Sequence, residues 1–477
     1  MVEINSKKIL LIEPDYKNKY PPLGLMKIST FHKQKGDSVV FYKGCSPELR
    51  KIEWDRVYIS TIFTFHWTKT IKTIKYYRKS VTDISSIYVG GVMATMMKDE
   101  IRNEIPVTVI EGLLNKKGLL GYQDDDTIDN ITPDYSIIDQ KTNLLLNYVY
   151  PTSNSYIAYA TRGCIRKCQF CAVPIIEPDF TNNLSIANQV NAIKENYGEK
   201  RDLLLLDNNI LASNRFSEII EEIKSIGFQK GANYIQKNGG KEKIIYRYVD
   251  FNQGIDARLL NREKMELLSQ IAISPLRIAF DDIKYKDLYT EKIRLAAEFE
   301  ITTLSNYILF NFKDSPEDFY ERLKVNIDLN EEFSQKGIKS RIWSFPMKFS
   351  PITGDFSKNR KYIGEKWNRK YLRGLQCILL ATHGVVGPKK AFFEKAFGKN
   401  FEEFINILML PETFIIYRNY NQDNGYVNEL SKKLDLLNYE QKDKLHQIIL
   451  TNDFSNIREK TDNKLLLEIL ELYNTQS

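Results

Sequence analysis

No stretch of this 477-residue chain approaches the ~20 continuous apolar residues that a membrane-spanning helix needs. The apolar patch near the start, Ile9 to Ile12, is cut off at once by Glu13 and Asp15 and is too short for the core of a secretory signal. Cysteine is scarce: five thiols in so long a chain cannot make a disulfide framework, and reduced thiols in a cytosol are the expectation. Glycine (23) and proline (15) are too few for a collagen-like or low-complexity chain, and 43% apolar residues are too many for a disordered one. Charge of one sign is also lacking, because 68 Lys and Arg against 61 Asp and Glu leave only +7, so global charge does not mark a polyanion binder. What remains is a cytoplasmic globular protein with two or three domains, taking ~150 residues per domain.

Short β-branched runs alternate with helix-length segments through the first part: KILLIEP (8–14), SVVFYKG (38–44), RVYISTIF (56–63), SIYVGG (86–91) and VTVIEG (107–112). Such alternation predicts a parallel sheet covered on both faces, a doubly wound, Rossmann-like α/β domain over 1–121. The segment 122–151 is rich in Asp at first and then extended, and reads as a linker. A second βα series over 152–350 starts at SYIAYATRGC (155–164) and continues through LLLLDNN, IIYRYVDFN, LRIAFDD, TTLSNYILFNF and SRIWSFPM. Six strands alternating with helices predict a partial (β/α)6 barrel, with Gln229–Lys243 as an exposed insertion containing Gly231, Gly239 and Gly240. Ser315, Pro316, Glu317 and Asp318 spell a capped helix start. From 351 to 477 helical patterns dominate, predicting a mostly helical C-terminal domain.

Three of the five cysteines, Cys164, Cys168 and Cys171, stand within eight positions. Three thiolates in one loop can hold three irons of a [4Fe–4S] cube and leave the fourth iron open for chemistry. The competing zinc site needs a fourth ligand, and Cys45, Cys377, His32, His66, His383 and His446 are all remote in sequence. Cys-x-x-x-Cys-x-x-Cys with an aromatic, Phe170, before its last cysteine, at the head of a βα series, resembles the radical S-adenosylmethionine (SAM) superfamily from Tyr156 to about Phe349.

That resemblance implies a cluster on Cys164, Cys168 and Cys171 whose open iron holds SAM, and reductive cleavage to methionine and a 5′-deoxyadenosyl radical that modifies a substrate of unknown identity. It implies an external one-electron donor such as a flavodoxin or ferredoxin. Asp207, Asn208 and Asn209 end the second barrel strand, where relatives carry Gly-Gly-Glu to receive the SAM amino group. Gln253, Asp256 and Arg258 follow the next strand, where a carboxylate and a guanidinium suit the ribose hydroxyls and the SAM carboxylate. Asn311 and Phe312 fall at the strand end on which relatives lean the adenine. For all of these, and for Asp281 and Asp282 on the same rim, turn and capping roles are the alternative.

In the N-terminal domain, Pro22 and Gly24 of PPLG, Ser60 and Thr61, Gly90 and Gly91, and Glu111 and Gly112 all fall at carboxyl ends of strands, where open α/β sheets bind ligands. The order of domains resembles the subfamily with a cobalamin-binding domain ahead of the barrel. The Asp-x-His-x-x-Gly motif that supplies a cobalt-ligating histidine is absent. Cobalamin held without histidine, with methyl transfer as the reaction, and a fold kept without the cofactor therefore both stay open.

Residues 351–400 carry eleven Lys or Arg against three acids, interleaved with Phe356, Tyr362, Trp367, Tyr371, Phe392, Phe393 and Phe397. Amphipathic helices with buried rings and solvated cations are favoured there over a nucleic-acid surface. A methylthiotransferase is the alternative enzyme, weakened because only Cys45 stands where a second cluster would need three cysteines. An iron–sulfur electron carrier is the non-catalytic alternative, and it would favour four cysteine ligands.

Overall fold

The computed structural model describes residues 6–238 and 240–474. Residues 1–5 of the expected N-terminal domain, Gly239 of the insertion and 475–477 of the tail lie outside the described residues. The chain divides into two compact units, Met1–Pro275 with Ser350–Tyr362, and Leu276–Phe349 with Ile363–Ser477.

In the first unit the β-branched runs form β1 (Lys8–Glu13), β2 (Ser38–Lys43), β3 (Arg56–Thr61), β4 (Ile87–Gly91) and β5 (Thr108–Val109). They make one parallel sheet in the order β2-β1-β3-β4-β5, so the winding reverses between β1 and β3. Ile9 to Ile12 are fully buried because helices cover both faces. On one face Leu10, Ile12, Val57, Ile59 and Val89 pack with Ile71 and Ile74 of the helix Trp67–Tyr77 and with Met93. Each such side chain contributes roughly 1.5–3 kcal/mol of burial.

The segment read as a linker is folded onto this domain. Buried Asp125 accepts the backbone N–H groups of Gly118, Leu120 and Tyr122, and buried Asp134 accepts from the Ser29 and Ser136 hydroxyls. Short 3₁₀ turns at Asp125–Asn130 and Tyr135–Ile138 replace the expected extended run. The Asp residues that looked like solvated linker are turn-forming acceptors.

β6 (Ser155–Ala158) and β7 (Asp202–Leu205) begin a second parallel sheet. The run IIYRYVDFN is not one strand. Its first part belongs to an exposed antiparallel hairpin of β8 (Asn233–Asn238) and β9 (Lys241–Tyr246), and its last part is β10 (Val249–Phe251), which pairs with β7. Arg247 makes the break: its guanidinium donates to the carbonyls of Lys200 and Arg201 and lies 4.3 Å over the Phe228 ring, turning the chain from hairpin into sheet.

The second unit holds a parallel sheet of β11 (Leu276–Arg277), β12 (Thr303–Phe310) and β13 (Arg341–Lys348). The six strands expected of the barrel are thus two three-stranded parallel sheets, one in each unit. β11 is shorter than LRIAFDD suggested, because fully buried Arg322 takes the carbonyls of Phe280 and Asp281. Arg322 belongs to the helix Pro316–Gln335, which opens with the expected cap: Ser315 and Asp318 exchange side-chain and backbone bonds at 2.9 and 3.1 Å.

Helices dominate after Ile363. The aromatics of the basic stretch divide as the amphipathic expectation required only in part. Trp367, Phe393 and Phe397 join Phe319, Leu375 and Phe404 in the core, while Phe356 and Phe392 are exposed. Lys370 departs from the solvated cations: it is fully buried, donates to the Leu410 carbonyl at 2.6 Å, and burial pushes its ammonium down to about 8.

The helix Arg369–Ala381 meets the helix Phe401–Met409 at Gly374, where an added Cβ would stand 2.5 Å from the Leu408 carbonyl oxygen. Gly374→Ala is therefore expected to lower stability by about 2–3 kcal/mol, read as a lower urea midpoint. An unchanged midpoint would contradict this close crossing.

Candidate functional site

The cysteine loop follows β6 and is closed on itself. Arg162 and Thr181 exchange backbone bonds at 2.9 and 3.0 Å, making a two-residue bridge across the loop's base. Gly163 has φ +74° and an added Cβ would lie 2.3 Å from the Asp179 carbonyl oxygen, so only glycine fits there. Cys164, Cys168 and Cys171 are half-buried on this loop and form no disulfide. The Arg166 backbone N–H and the Asn209 amide point at the Cys164 sulfur, at 3.3 and 3.5 Å.

Among the described residues no three His, Cys, Asp or Glu side chains converge on one point as ligands of a single ion. A cube does not ask for that, since each thiolate binds its own iron corner. The donor set of three thiols on one loop, with N–H groups directed at sulfur, fits such a cluster.

Asp207, Asn208 and Asn209 leave β7 directly beside the loop. Asp207 is buried, and its Oδ1 accepts three bonds, from Ala160 N, Thr161 N and Thr161 Oγ1 at 3.0, 2.6 and 2.7 Å. Its Oδ2 is buried with no partner among the described residues, and so is Oδ1 of Asn209. Burial pushes the Asp207 carboxyl up to about 6 against those hydrogen bonds. Two unsatisfied acceptors beside a thiol loop are a costly arrangement unless a donor enters, and an ammonium group is such a donor.

Asn208 instead holds the frame. Its amide donates to Glu177 Oε2 at 2.9 Å, an oxygen that also accepts the Gly163 N–H at 2.7 Å, while Glu177 Oε1 takes Arg162 at 2.8 Å. Glu177 thus ties the β7 end to the loop, and no motif in the sequence marks it. Arg166, between the first two cysteines, donates to Asp256 at 3.0 Å, and Arg258 forks onto the same carboxylate at 2.6 and 3.0 Å. Burial raises the Asp256 carboxyl, but the bonds from Arg258 and Arg166 outweigh it and hold it below the usual range. Phe170 is half-buried and Gln253 exposed. Asn311 lies in the second unit, fully buried, with its amide bonded to Gly364 N at 2.8 Å and the Phe349 carbonyl at 3.3 Å. Asp282 caps a turn through the Lys284 N–H, the capping alternative raised for it.

A second cavity of the first unit, about 450 Å³, opens at the carboxyl ends of β1, β3 and β4, where the winding reverses. Pro22, Gly24, Ser60, Thr61, Gly90 and Gly91 all line it, and so does Gly112. Gly91, at φ +104°, lies so close to β3 that a Cβ would stand 2.2 Å from the Thr61 carbonyl oxygen. Glu111 does not line it, but pairs with Lys98 at 3.0 Å and Arg102 at 3.6 Å. The lining is mostly apolar, with the buried Ser60 hydroxyl unpartnered among the described residues and no histidine among the lining residues described. Its charged lining residues are Glu13, Lys27, Asp129 and Arg162, and through Arg162 and Glu177 this wall runs on to the cysteine loop. A flat, largely apolar ligand suits these glycines and the mostly apolar lining.

No family model matches the chain, and no curated protein matches it. Among solved structures it is similar to the radical S-adenosylmethionine methyltransferase TsrM from Kitasatospora setae with cobalamin and a [4Fe–4S] cluster bound, at 10% identity over 78% of each chain and a TM-score of 0.49. The same enzyme with tryptophan and the SAM analogue aza-SAM matches at 10% identity over 78% of this chain and 76% of that one, with a TM-score of 0.48. Streptococcus suis SuiB bound to the precursor peptide SuiA matches at 14% identity over 66% and 63%, with a TM-score of 0.32.

Proposed function

We propose that this chain is a radical SAM enzyme whose N-terminal cavity takes cobalamin and whose reaction is methyl transfer. The observation that carries the SAM reading is the pair of buried, unpartnered acceptors, Asp207 Oδ2 and Asn209 Oδ1, beside the three-cysteine loop. When bound, a [4Fe–4S] cluster on Cys164, Cys168 and Cys171 supplies one electron to cleave SAM reductively.

The chain's own residues bind and orient. Thr161 and the Ala160 N–H fix Asp207 so that its free oxygen faces an ammonium group. Glu177 holds the loop base at Gly163 and keeps Asn208 in register with it. The Asp256 and Arg258 pair offers a carboxylate to ribose hydroxyls and a guanidinium to the SAM carboxylate, exchanging their mutual bonds for the ligand's. In the N-terminal cavity, Gly90, Gly91 and Gly112 let a corrin ring approach the backbone. With no histidine among the described lining residues, the chain itself offers no imidazole to cobalt there.

Anaerobic reconstitution with iron and sulfide, reduction with SAM, and assay for 5′-deoxyadenosine and for transfer of the SAM methyl group test the reaction. The cavity is tested separately by titrating the full chain with cobalamin and following its absorption. Saturable binding is expected, and Gly24→Trp should abolish it. An added Cβ at Gly24 meets only Leu114 Cδ1, at 3.9 Å, and Gly24 lines the cavity, so the larger side chain is placed at its wall. Binding unaffected by that change would remove cobalamin from the cavity.

A further inference from the structure

The helical tail of the second unit contains a cavity of about 400 Å³ that the preceding assignment does not use. Ile378, Ile415 and Ile416 line it, together with the exposed rings of Phe392, Tyr417 and Tyr420. Two further lining residues each hold a buried polar atom with no hydrogen-bond partner among the described residues, Thr382 Oγ1 and Arg418 Nε. Lys395 adds a second cation, and no carboxylate is among the lining residues described.

Arg373 of this unit forks onto Glu412 at 2.6 and 2.7 Å, and Arg322 meets Asp314 at 3.0 Å. Arg418, like Arg341, donates to backbone carbonyls instead. Its Nη1 caps the helix Lys390–Phe397 through the carbonyls of Lys395 and Ala396, which fixes the side chain, while its buried Nε has no partner among the described residues. A guanidinium held in this way without a counter-ion is unfavourable until an anion reaches it.

We propose that this cavity binds a small monocarboxylate with an apolar aryl or branched-alkyl body. The carboxylate accepts from Arg418 Nε and the Thr382 hydroxyl and lies near the Lys395 ammonium, and the body fills the space among Ile378, Ile415 and Ile416. A neutral apolar ligand leaves Nε unpaired, and a dianion such as phosphate would bury a second charge against aliphatic walls. The volume falls in the range of small-molecule sites.

The test is calorimetric titration of the full chain with phenylbutyrate, phenylbutanamide and phenylbutanol. The carboxylate should bind saturably at one site, about tenfold or more tightly than either neutral analogue. Ile416→Trp, which fills the cavity, should abolish that binding, and Lys395→Gln should weaken it about threefold. Arg418→Gln should weaken it about tenfold. Because Arg418 also caps a helix, the other two variants keep the test decisive if that one fails to fold. Absence of saturable binding, equal affinity for all three compounds, or binding that survives Ile416→Trp overturns the proposal. Neither iron nor SAM enters the measurement, so its outcome is independent of the reaction assigned to the cysteine loop.

Discussion

Replacing Cys164, Cys168 or Cys171 by alanine, one at a time, is expected to lower SAM cleavage by about 100-fold or more and to deplete iron in the reconstituted protein. Loss of a group that only orients a metal ligand already costs about 10–100-fold, and these thiols are the proposed ligands themselves. Two remaining thiolates would leave two corners of a cube unheld by protein, so the cluster itself is lost. Cys45 and Cys377 supply the controls. The first is exposed, and the second is buried against helices of the tail with its thiol pushed up to about 11, chiefly by burial. Alanine at either should leave iron content unchanged. Iron retention and undiminished 5′-deoxyadenosine in all three loop variants would contradict the assignment of the loop.

Asp207→Asn is expected to make the cluster-free fold more stable near neutral pH while weakening SAM binding. Burial holds the native carboxyl at about 6, above its value in an unfolded chain. At low pH both states keep the proton and the group has no effect on stability. As pH rises past the ordinary carboxylate value only the unfolded chain ionises, so stability falls until about pH 6, by roughly 3 kcal/mol in all. The difference in stability between Asp207→Asn and the native protein, from urea unfolding, should therefore grow by that order between about pH 4 and pH 7. The same change removes the acceptor oxygen proposed for the SAM ammonium, a charged hydrogen bond whose loss is worth roughly 10–100-fold in affinity. A residue that weakens the fold and strengthens binding is what a site retains against stability. A pH-independent difference would mean the carboxyl is not held as the structure has it.

How much was legible in the sequence depended on whether a side chain acts locally. The strands of the first domain announce themselves through runs such as Ile9 to Ile12, because a sheet covered on both faces needs them. Ser60, Thr61, Gly90 and Gly91 could be picked out together because strand ends in a doubly wound sheet fall on one edge. Glu111 could not be excluded by the same rule, since its pairing with Lys98 and Arg102 depends on a helix thirteen or fewer residues upstream. The cysteine spacing was plain, whereas Glu177 was invisible: it binds Arg162, Gly163 and Asn208, and two of these neighbour the loop while the third arrives from β7. The place of Asn311 at a strand end is legible in the sequence, whereas the bonds of its amide to Gly364 and Phe349 are not, because both partners arrive from distant segments. The break between β9 and β10 was hidden because Arg247 looks like any strand cation until Phe228 and the carbonyls of Lys200 and Arg201 surround it.

The most direct test is electron–nuclear double resonance on the reduced, reconstituted protein mixed with SAM labelled in turn at its amino nitrogen and its carboxylate oxygens. Hyperfine coupling from both labels to the cluster is expected, and it should vanish when Asp207 and Asn209 are both replaced by apolar residues. A cluster signal that SAM leaves untouched, with no coupling from either label, would contradict the account.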